Sequence, residues 1–263
     1  SLPVAALALG EQWNVYGFFL GLMVISALAD RAGVFNMLAQ AAGRWANGSA
    51  RRLYLAVFAA GALITAFLSN DATALILTPV VYTLAAGLRL PVLPFLFACT
   101  FIADTASFAL PVSNPINIMV LDVFGGGLGP FLRYLLLPSL FCIVFNAILF
   151  TWLFRRDLRG RYRIEDLPTA VPPDLGFFRF AVAALAVIAV AYTAASAFQV
   201  PLSAIALAGA GLLLIGAAHY GQLDWRGLRK EISWSLFVFI SGLFILIRGV
   251  EDLGLTAAFG RLL

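Results

Sequence analysis

Two polar clusters lie inside apolar stretches of the sequence and are its best candidates for chemistry. The first, SNDAT, covers residues 69–73 within an apolar run from 53 to 88. The second, ADTASFALPVSNPIN, covers residues 103–117 within the next apolar run. Carboxylates and amides are costly inside a bilayer, so at membrane depth they usually face partners, water or a transported molecule. Two such clusters in neighbouring segments predict a permeation or transport site.

The composition is that of an integral membrane protein. Hydrophobic residues make up 62% of the chain and charged residues 11%, whereas a soluble domain carries about 25% charged residues. The one lysine, Lys230, lacks the GxxxxGK[ST] context of a phosphate loop, so any ATP hydrolysis must come from another chain. Cys99 and Cys142 lie in different apolar segments, and we expect them to pack rather than bind metal or form a disulfide. No nucleic-acid partner is expected.

Several apolar stretches could form the helices that position the clusters, because at about 1.5 Å per residue they can cross a hydrocarbon core of about 30 Å. They cover residues 13–38, 53–68, 72–88, 92–120, 131–154, 177–198, 201–218 and 233–250. The short second and third stretches meet at the first cluster. They predict a re-entrant helical hairpin, tolerated only where its tip lines a cavity; two full crossings are the alternative. Pro111 and Pro115 predict a break in the fourth helix near residues 111–114, since proline removes a backbone donor.

An internal repeat relates the two ends of the chain. The segment WNVYGFFLGLMVISALADRAGV from Trp13 aligns without gaps to WSLFVFISGLFILIRGVEDLGL from Trp234. An odd number of predicted crossings separates the two copies, so the second copy is inverted. Inverted repeats with broken helices are typical of secondary transporters. Within the repeat Asp30 matches Glu251, and we expect structural pairing of Asp30 with the neighbouring Arg31.

Arginine-rich loops can all lie on one side of the membrane, which the positive-inside rule makes the cytoplasmic side. The expected organisation is a lead-in at 1–12, a first transmembrane repeat at 13–154 with the hairpin at about 53–88 and the broken helix at about 92–120, a cytoplasmic linker at 155–175, scaffold helices at 176–232 and the start of a second inverted repeat at 233–263. The symmetry mates of both polar clusters would then lie beyond residue 263, in a longer protein.

Two long motifs carry a family resemblance. FLSNDATALILTPVV at 67–81 and FIADTASFALPVSNPINIMV at 101–120 resemble the arsenite efflux permeases of the ArsB type, within the ion transporter superfamily. The resemblance covers nearly the whole chain, with a departure at Pro115 and Ile116, where many members have leucine and threonine. It implies a multi-pass inner-membrane protein that exports trivalent arsenite and antimonite by proton antiport. It also implies an optional soluble ATPase partner of the ArsA type, and no enzymatic activity in the permease itself.

Under this resemblance the two clusters supply matching chemistry. Arsenite is an uncharged trihydroxide at neutral pH, and hydroxyl and amide side chains both donate and accept hydrogen bonds. The candidate substrate-binding residues are Ser69, Asn70, Thr73, Thr105, Ser113, Asn114 and Asn117. Asp71 and Asp104 are the candidate proton carriers, or alternatively caps that accept backbone N–H bonds at helix ends. A tight site of three thiolates is excluded because the chain holds two cysteines.

Three other functions remain as alternatives. A sodium/proton antiporter or carboxylate transporter of the same superfamily would share the hairpin, but a glycine-rich segment is expected there in place of ADTAS. A channel would conduct without coupling, and the inverted repeat disfavours it. An intramembrane aspartyl protease would need two membrane aspartates, but Asp71 and Asp104 lack the YD and GxGD contexts of those enzymes.

Overall fold

The computed structural model describes residues 13–114, 116–117, 128–198 and 200–252, and this part of the chain is helical. Its main helices are α1 (Trp13–Arg31), α2 (Val34–Trp45), α3 (Ala50–Phe67), α4 (Thr78–Gly87), α5 (Val92–Thr105), α6 (Leu137–Leu153), α7 (Leu175–Phe198), α8 (Leu202–His219), α9 (Trp225–Glu231) and α10 (Trp234–Asp252). Within these residues the extended pairing is one isolated bridge between Ser49 and Arg161. The predicted all-α class is confirmed for the described chain.

Irregular helical turns flank three of these helices. A π-helical turn, Ala72–Leu77, leads into α4, and another, Leu132–Leu136, leads into α6. The 3₁₀ turns Ala106–Phe108 and Pro111–Ser113 follow α5. The predicted lead-in at 1–12 and the last residues of the predicted second repeat lie outside the described residues.

Five stretches among the described residues are long and apolar enough to cross a membrane. They are Trp13–Arg31, Ala50–Phe67, Gly129–Leu153, Leu175–Tyr192 and Leu202–His219. Two shorter apolar helical stretches, Ala72–Gly87 and Val92–Phe108, contain the hairpin's second arm and the helix before the break.

The first predicted span, 13–38, is wrong in its extent. Its first helix ends at Arg31, and α2 begins three residues later at Val34. Gly33 between them has φ +82°, a left-handed conformation that glycine adopts at little cost. The chain therefore turns at Gly33, and α2 is a separate amphipathic helix.

The helices pack in two main apolar groups with α1 at the centre of one of them. Gly21 of α1 lies so close to α8 that an added Cβ would be 2.6 Å from the carbonyl carbon of Ala206. Small residues of this kind let helix backbones approach in membranes. On another side of α1, the Tyr16 hydroxyl lies 2.9 Å from the Ser241 hydroxyl of α10. The two copies of the sequence repeat are thus direct neighbours.

The segment predicted to be a linker is packed onto the loop between α2 and α3. The amide of Ala50 donates to the carbonyl of Gly160 at 3.1 Å, and the amide of Tyr162 donates to the carbonyl of Gly48 at 3.0 Å. The Tyr162 hydroxyl donates to the carbonyl of Gly43. Burial raises the pKa of Tyr162 above its ordinary value, which keeps this hydroxyl protonated as a donor.

Candidate transport site

The first polar cluster forms the turn between α3 and the π-helical turn before α4. The Ser69 hydroxyl accepts a hydrogen bond from the amide of Ala72 at 3.0 Å. The Asn70 side-chain oxygen accepts from the amide of Asp71 at 2.9 Å. Both side chains therefore satisfy backbone donors at the start of the second arm, as side chains at helix N-termini commonly do.

Thr73 ties the two arms of this helical pair together. Its side chain is fully buried, and its hydroxyl lies 2.7 Å from the hydroxyl of Thr65 on α3. The same oxygen is 3.4 Å from the carbonyl of Gly61. A hydroxyl with these partners is a contact between helices, and Thr73 does not line the cavity described below.

The second polar cluster folds back on α3. The Ser113 hydroxyl is within hydrogen-bond distance of the carbonyls of Ala66, at 3.1 Å, and Leu110, at 2.8 Å. The Asn117 side-chain amide donates to the carbonyls of Ser107, at 2.6 Å, and Leu110, at 3.1 Å. Ser113 and Asn117 are buried, so they position this irregular segment beside the end of α3.

Ser107 joins several of these bonds, and the sequence reasoning did not select it. Its hydroxyl donates to the carbonyl of Asp104 at 2.6 Å and accepts from the Asn114 side chain at 3.4 Å. Its carbonyl accepts the Asn117 bond. The available signal was its place in ADTAS, just after the last turn of an apolar helix. Regular α-helix ends at Thr105, which is earlier than the break predicted at 111–114.

Thr105 and Asp104 lie on the last turn of α5. The Thr105 hydroxyl donates to the carbonyl of Phe101, one turn earlier, at 2.7 Å. The Thr105 carbonyl in turn accepts from the Ser139 hydroxyl of α6 at 3.1 Å. Asp104 is exposed.

A cavity of about 470 Å³ lies beside the first cluster, between α1, the second arm and the start of α10. The polar residues that line it are Ser26, Asp30, Asn36, Ser69, Asp71, Glu231 and Ser233. No arginine, lysine or histidine is among its lining residues in the described part of the chain. Of the predicted site residues, the structure brings Ser69 and Asp71 to this cavity; the other seven lie outside it.

Asp30 and Ser26 were not predicted for the site, and both line the cavity. The expected pairing of Asp30 with Arg31 is wrong, because Arg31 forms an ion pair with Glu231 at 2.8 Å and donates to the carbonyl of Asp224 at 2.9 Å. The Ser26 hydroxyl is buried and has no hydrogen-bond partner within the described residues. Sequence reasoning could not find the ion pair, since its two members are distant in the chain.

Soft-metal chemistry finds little support in the described residues. They contain no group of three or more His, Cys, Asp or Glu side chains placed to hold a metal ion. Cys99 on α5 is buried and Cys142 on α6 is exposed. The arrangement at the cavity is instead one of hydroxyls, an amide and carboxylates.

The sequence profile of the citrate transporter family (CitMHS) matches residues 1–263. The chain belongs to this family. The five long apolar helices of the described chain, together with this membership, make it a multi-pass membrane protein.

Curated relatives extend the comparison. The arsenical pump membrane protein of Escherichia coli is 31% identical over 249 residues, which are 93% of this chain and 58% of that protein. The arsenical pump membrane protein of Yersinia enterocolitica has the same identity and coverage. An uncharacterized transporter of Synechocystis is 26% identical over 261 residues, covering 97% of this chain and 58% of the relative. The chain thus spans 58% of the length of these relatives.

Proposed function

We propose that this chain is part of a membrane efflux transporter that exports trivalent arsenite, and also antimonite, from the cytoplasm by proton antiport. The observation that carries the proposal is the cavity at the tip between α3 and α4, which combines hydroxyl and amide groups with carboxylates and has no basic lining residue among those described. Its similarity to two arsenical pump membrane proteins supports the same substrate.

The charge of the cavity favours a neutral substrate over an anionic one. Asp30 and Asp71 line it, and the Glu231 carboxylate is the one that Arg31 pairs. A neutral trihydroxide can exchange hydrogen bonds with Ser69, Asn36 and these carboxylates. A citrate trianion would meet like charges in a region of low dielectric, where repulsion is strong.

The second candidate function is carboxylate transport, which the description of the family favours. It would require basic residues to bind the carboxylates of the substrate, since such groups are recognised mainly by arginine and lysine. The described lining supplies none, so we rank this function second.

For coupling, we assign the proton to Asp71, with Asp104 as the second candidate. Asp71 lines the cavity, so the substrate and the proton would compete for one space, as antiport requires. One charge moved across the membrane yields about 2.3 kcal/mol per 100 mV, which is enough to export a neutral solute against a gradient of more than about tenfold.

The architecture belongs to the same proposal. The α3–α4 pair would be a re-entrant hairpin, and the segment from α1 to α10 would contain one copy and the start of a second copy of an inverted repeat. Ser69 would contact substrate, whereas Asn70, Thr73, Thr105, Ser113, Asn114 and Asn117 would hold the tip and the break in position. The transporter would lie in the inner membrane, with an ATPase of the ArsA type as an optional partner.

Uptake into everted membrane vesicles from cells expressing the full-length protein tests the proposal. We expect labelled arsenite to accumulate when the vesicle interior is made acidic, and a protonophore to abolish the accumulation. Unlabelled antimonite should compete and citrate should not. Accumulation that ignores the proton gradient would contradict antiport, and citrate uptake without arsenite uptake would contradict the substrate.

A further inference from the structure

A second cavity, of about 790 Å³, opens where α3 and α6 meet the linker. We call it the arginine groove, after Arg51, Arg155, Arg159 and Arg161, which line it. It shares no lining residue with the transport cavity. Its function must therefore be argued from its own residues.

Backbone contacts hold the arginines around the groove. Arg51 lies in the first turn of α3, and Arg155 follows the end of α6. The bond from the Ala50 amide to the Gly160 carbonyl and the bridge between Ser49 and Arg161 fix the linker against α3. The cluster is thus assembled by the fold from two helices and one linker.

The positive charge of the groove is not neutralised within the described residues. The ion pairs there join Arg31 to Glu231 and Arg163 to Glu165, and neither involves the groove. No aspartate or glutamate lines it. Uncompensated arginines in one concave surface favour an anionic ligand, because guanidinium groups bind phosphate oxygens in pairs of hydrogen bonds.

A buried hydroxyl also lines the groove. Thr151 is 7% exposed, and its hydroxyl has no hydrogen-bond partner among the described residues. Buried polar groups are normally hydrogen-bonded, so an unpaired one needs an explanation. A ligand in the groove would provide the missing partner.

The remaining walls are apolar and belong to membrane-spanning helices. Leu55 lies on α3, and Ala147 and Ile148 lie on α6. Trp152 lies at the end of α6, with the guanidinium carbon of Arg155 4.9 Å from its ring centroid. Tryptophan and arginine together at a helix end are typical of the membrane interface. The groove therefore joins a cationic rim to an apolar wall between α3 and α6.

We propose that the arginine groove binds an anionic phospholipid. Its phosphate would lie among the four arginines, with the Thr151 hydroxyl as a further donor, and one acyl chain would follow the apolar wall between α3 and α6. Basic pockets between transmembrane helices on the cytoplasmic side bind such headgroups. An acidic protein surface would match the arginines but would not use the apolar wall.

Native mass spectrometry of the full-length protein, released from nanodiscs of phosphatidylcholine and phosphatidylglycerol, tests this proposal. We expect the wild-type protein to retain phosphatidylglycerol selectively. The double variant R51Q/R161Q should bind it about thirtyfold more weakly, because each basic residue adds attraction to anionic lipid. The matched control R44Q/R156Q removes the same charge from exposed arginines outside the groove and should retain it.

A third variant separates binding from folding. Thr151→Val removes a hydroxyl that has no internal partner, so it should leave the thermal stability of lipid-free protein unchanged. It should weaken phosphatidylglycerol binding about fivefold, as expected for one lost hydrogen bond. Unchanged lipid retention in both groove variants would overturn the proposal.

The remaining arms distinguish the source of the anion. Inorganic phosphate and water-soluble glycerophosphoglycerol should not displace the bound lipid, because they cannot occupy the apolar wall. Displacement by inorganic phosphate would overturn the assignment to a lipid. Equal retention of phosphatidylcholine, or an equal loss in the R44Q/R156Q control, would overturn it as well.

Discussion

Asp71 and Asp104 have the same chemistry but different surroundings. Asp71 lines the transport cavity beside Ser69, whereas Asp104 is exposed at the end of α5 and does not line that cavity. A coupling residue must be reached by both substrate and proton. The position of Asp71 meets this requirement within the part of the protein that the structure describes.

The first prediction is that Asp71→Asn uncouples transport. The amide keeps the size of the side chain but cannot carry a proton. We expect arsenite accumulation in acid-loaded vesicles to fall by about tenfold or more, because the proton driving force is lost, while exchange of arsenite at equal concentrations persists. The control is Asp104→Asn, which should keep accumulation. The opposite outcome for the two variants would transfer the coupling role to Asp104.

The second prediction concerns Asn117. Its side-chain amide donates to two carbonyls in the segment after α5. Asn117→Ala should lower the free energy of unfolding by about 1–3 kcal/mol, because buried acceptors lose their partners. Asn146 is the control: it is only partly buried and donates to the Cys142 carbonyl on its own helix, and Asn146→Ala should be nearly neutral. Equal thermal shifts for both variants would contradict the role assigned to Asn117.

At the scale of elements, the hairpin arms are joined by one buried polar contact. The hydroxyls of Thr65 and Thr73 lie 2.7 Å apart with both side chains fully buried. A third prediction follows. Either single change to valine should destabilise the protein by about 1–3 kcal/mol, because it strands the other hydroxyl. The double variant T65V/T73V should recover much of this loss. Additive losses in thermal unfolding would exclude a direct bond.

The fourth prediction concerns the contact between α1 and α8. Gly21→Ala should destabilise the protein by about 2 kcal/mol or more, because the new methyl group would overlap the backbone of Ala206. Gly211, in the same helix as Ala206, has nothing within 4 Å of its added Cβ. Gly211→Ala should raise the unfolding free energy by up to about 1 kcal/mol, since alanine is the better helix former. Similar effects of the two changes would contradict the close approach.

The sequence predicted the apolar helices well and their interruptions less well. Long apolar runs form helices in any compact arrangement, because their backbone groups must be satisfied internally. The turn at Gly33 and the early end of α5 at Thr105 depend on contacts with other elements. The same holds for the site: Asp71 was found by its apolar surroundings, whereas Ser26 and Asp30 acquire their place only through the packing of α1 against the second arm.

At the scale of the whole molecule, Arg31 joins the end of α1 to α9. Its side chain binds Glu231 and the carbonyl of Asp224. The fifth prediction is that Arg31→Gln changes the unfolding free energy by less than about 1 kcal/mol, because partly exposed ion pairs contribute little. It should nevertheless alter transport, since it leaves Glu231 uncompensated in the cavity lining. Conversely, Arg163→Gln breaks an exposed pair remote from the cavity and should alter neither property.

The acidic lining of the transport cavity gives it a local proton concentration different from that of the bulk solution. A negative potential inside a concave, low-dielectric surface concentrates cations, and at physiological ionic strength it decays over about 8 Å, so the enrichment is confined to the cavity. Added salt should therefore lower the bulk pH at which transport is half-maximal, most strongly in the Arg31→Gln variant. A carrier with such a lining responds to an acidity higher than the one a pH electrode records outside it.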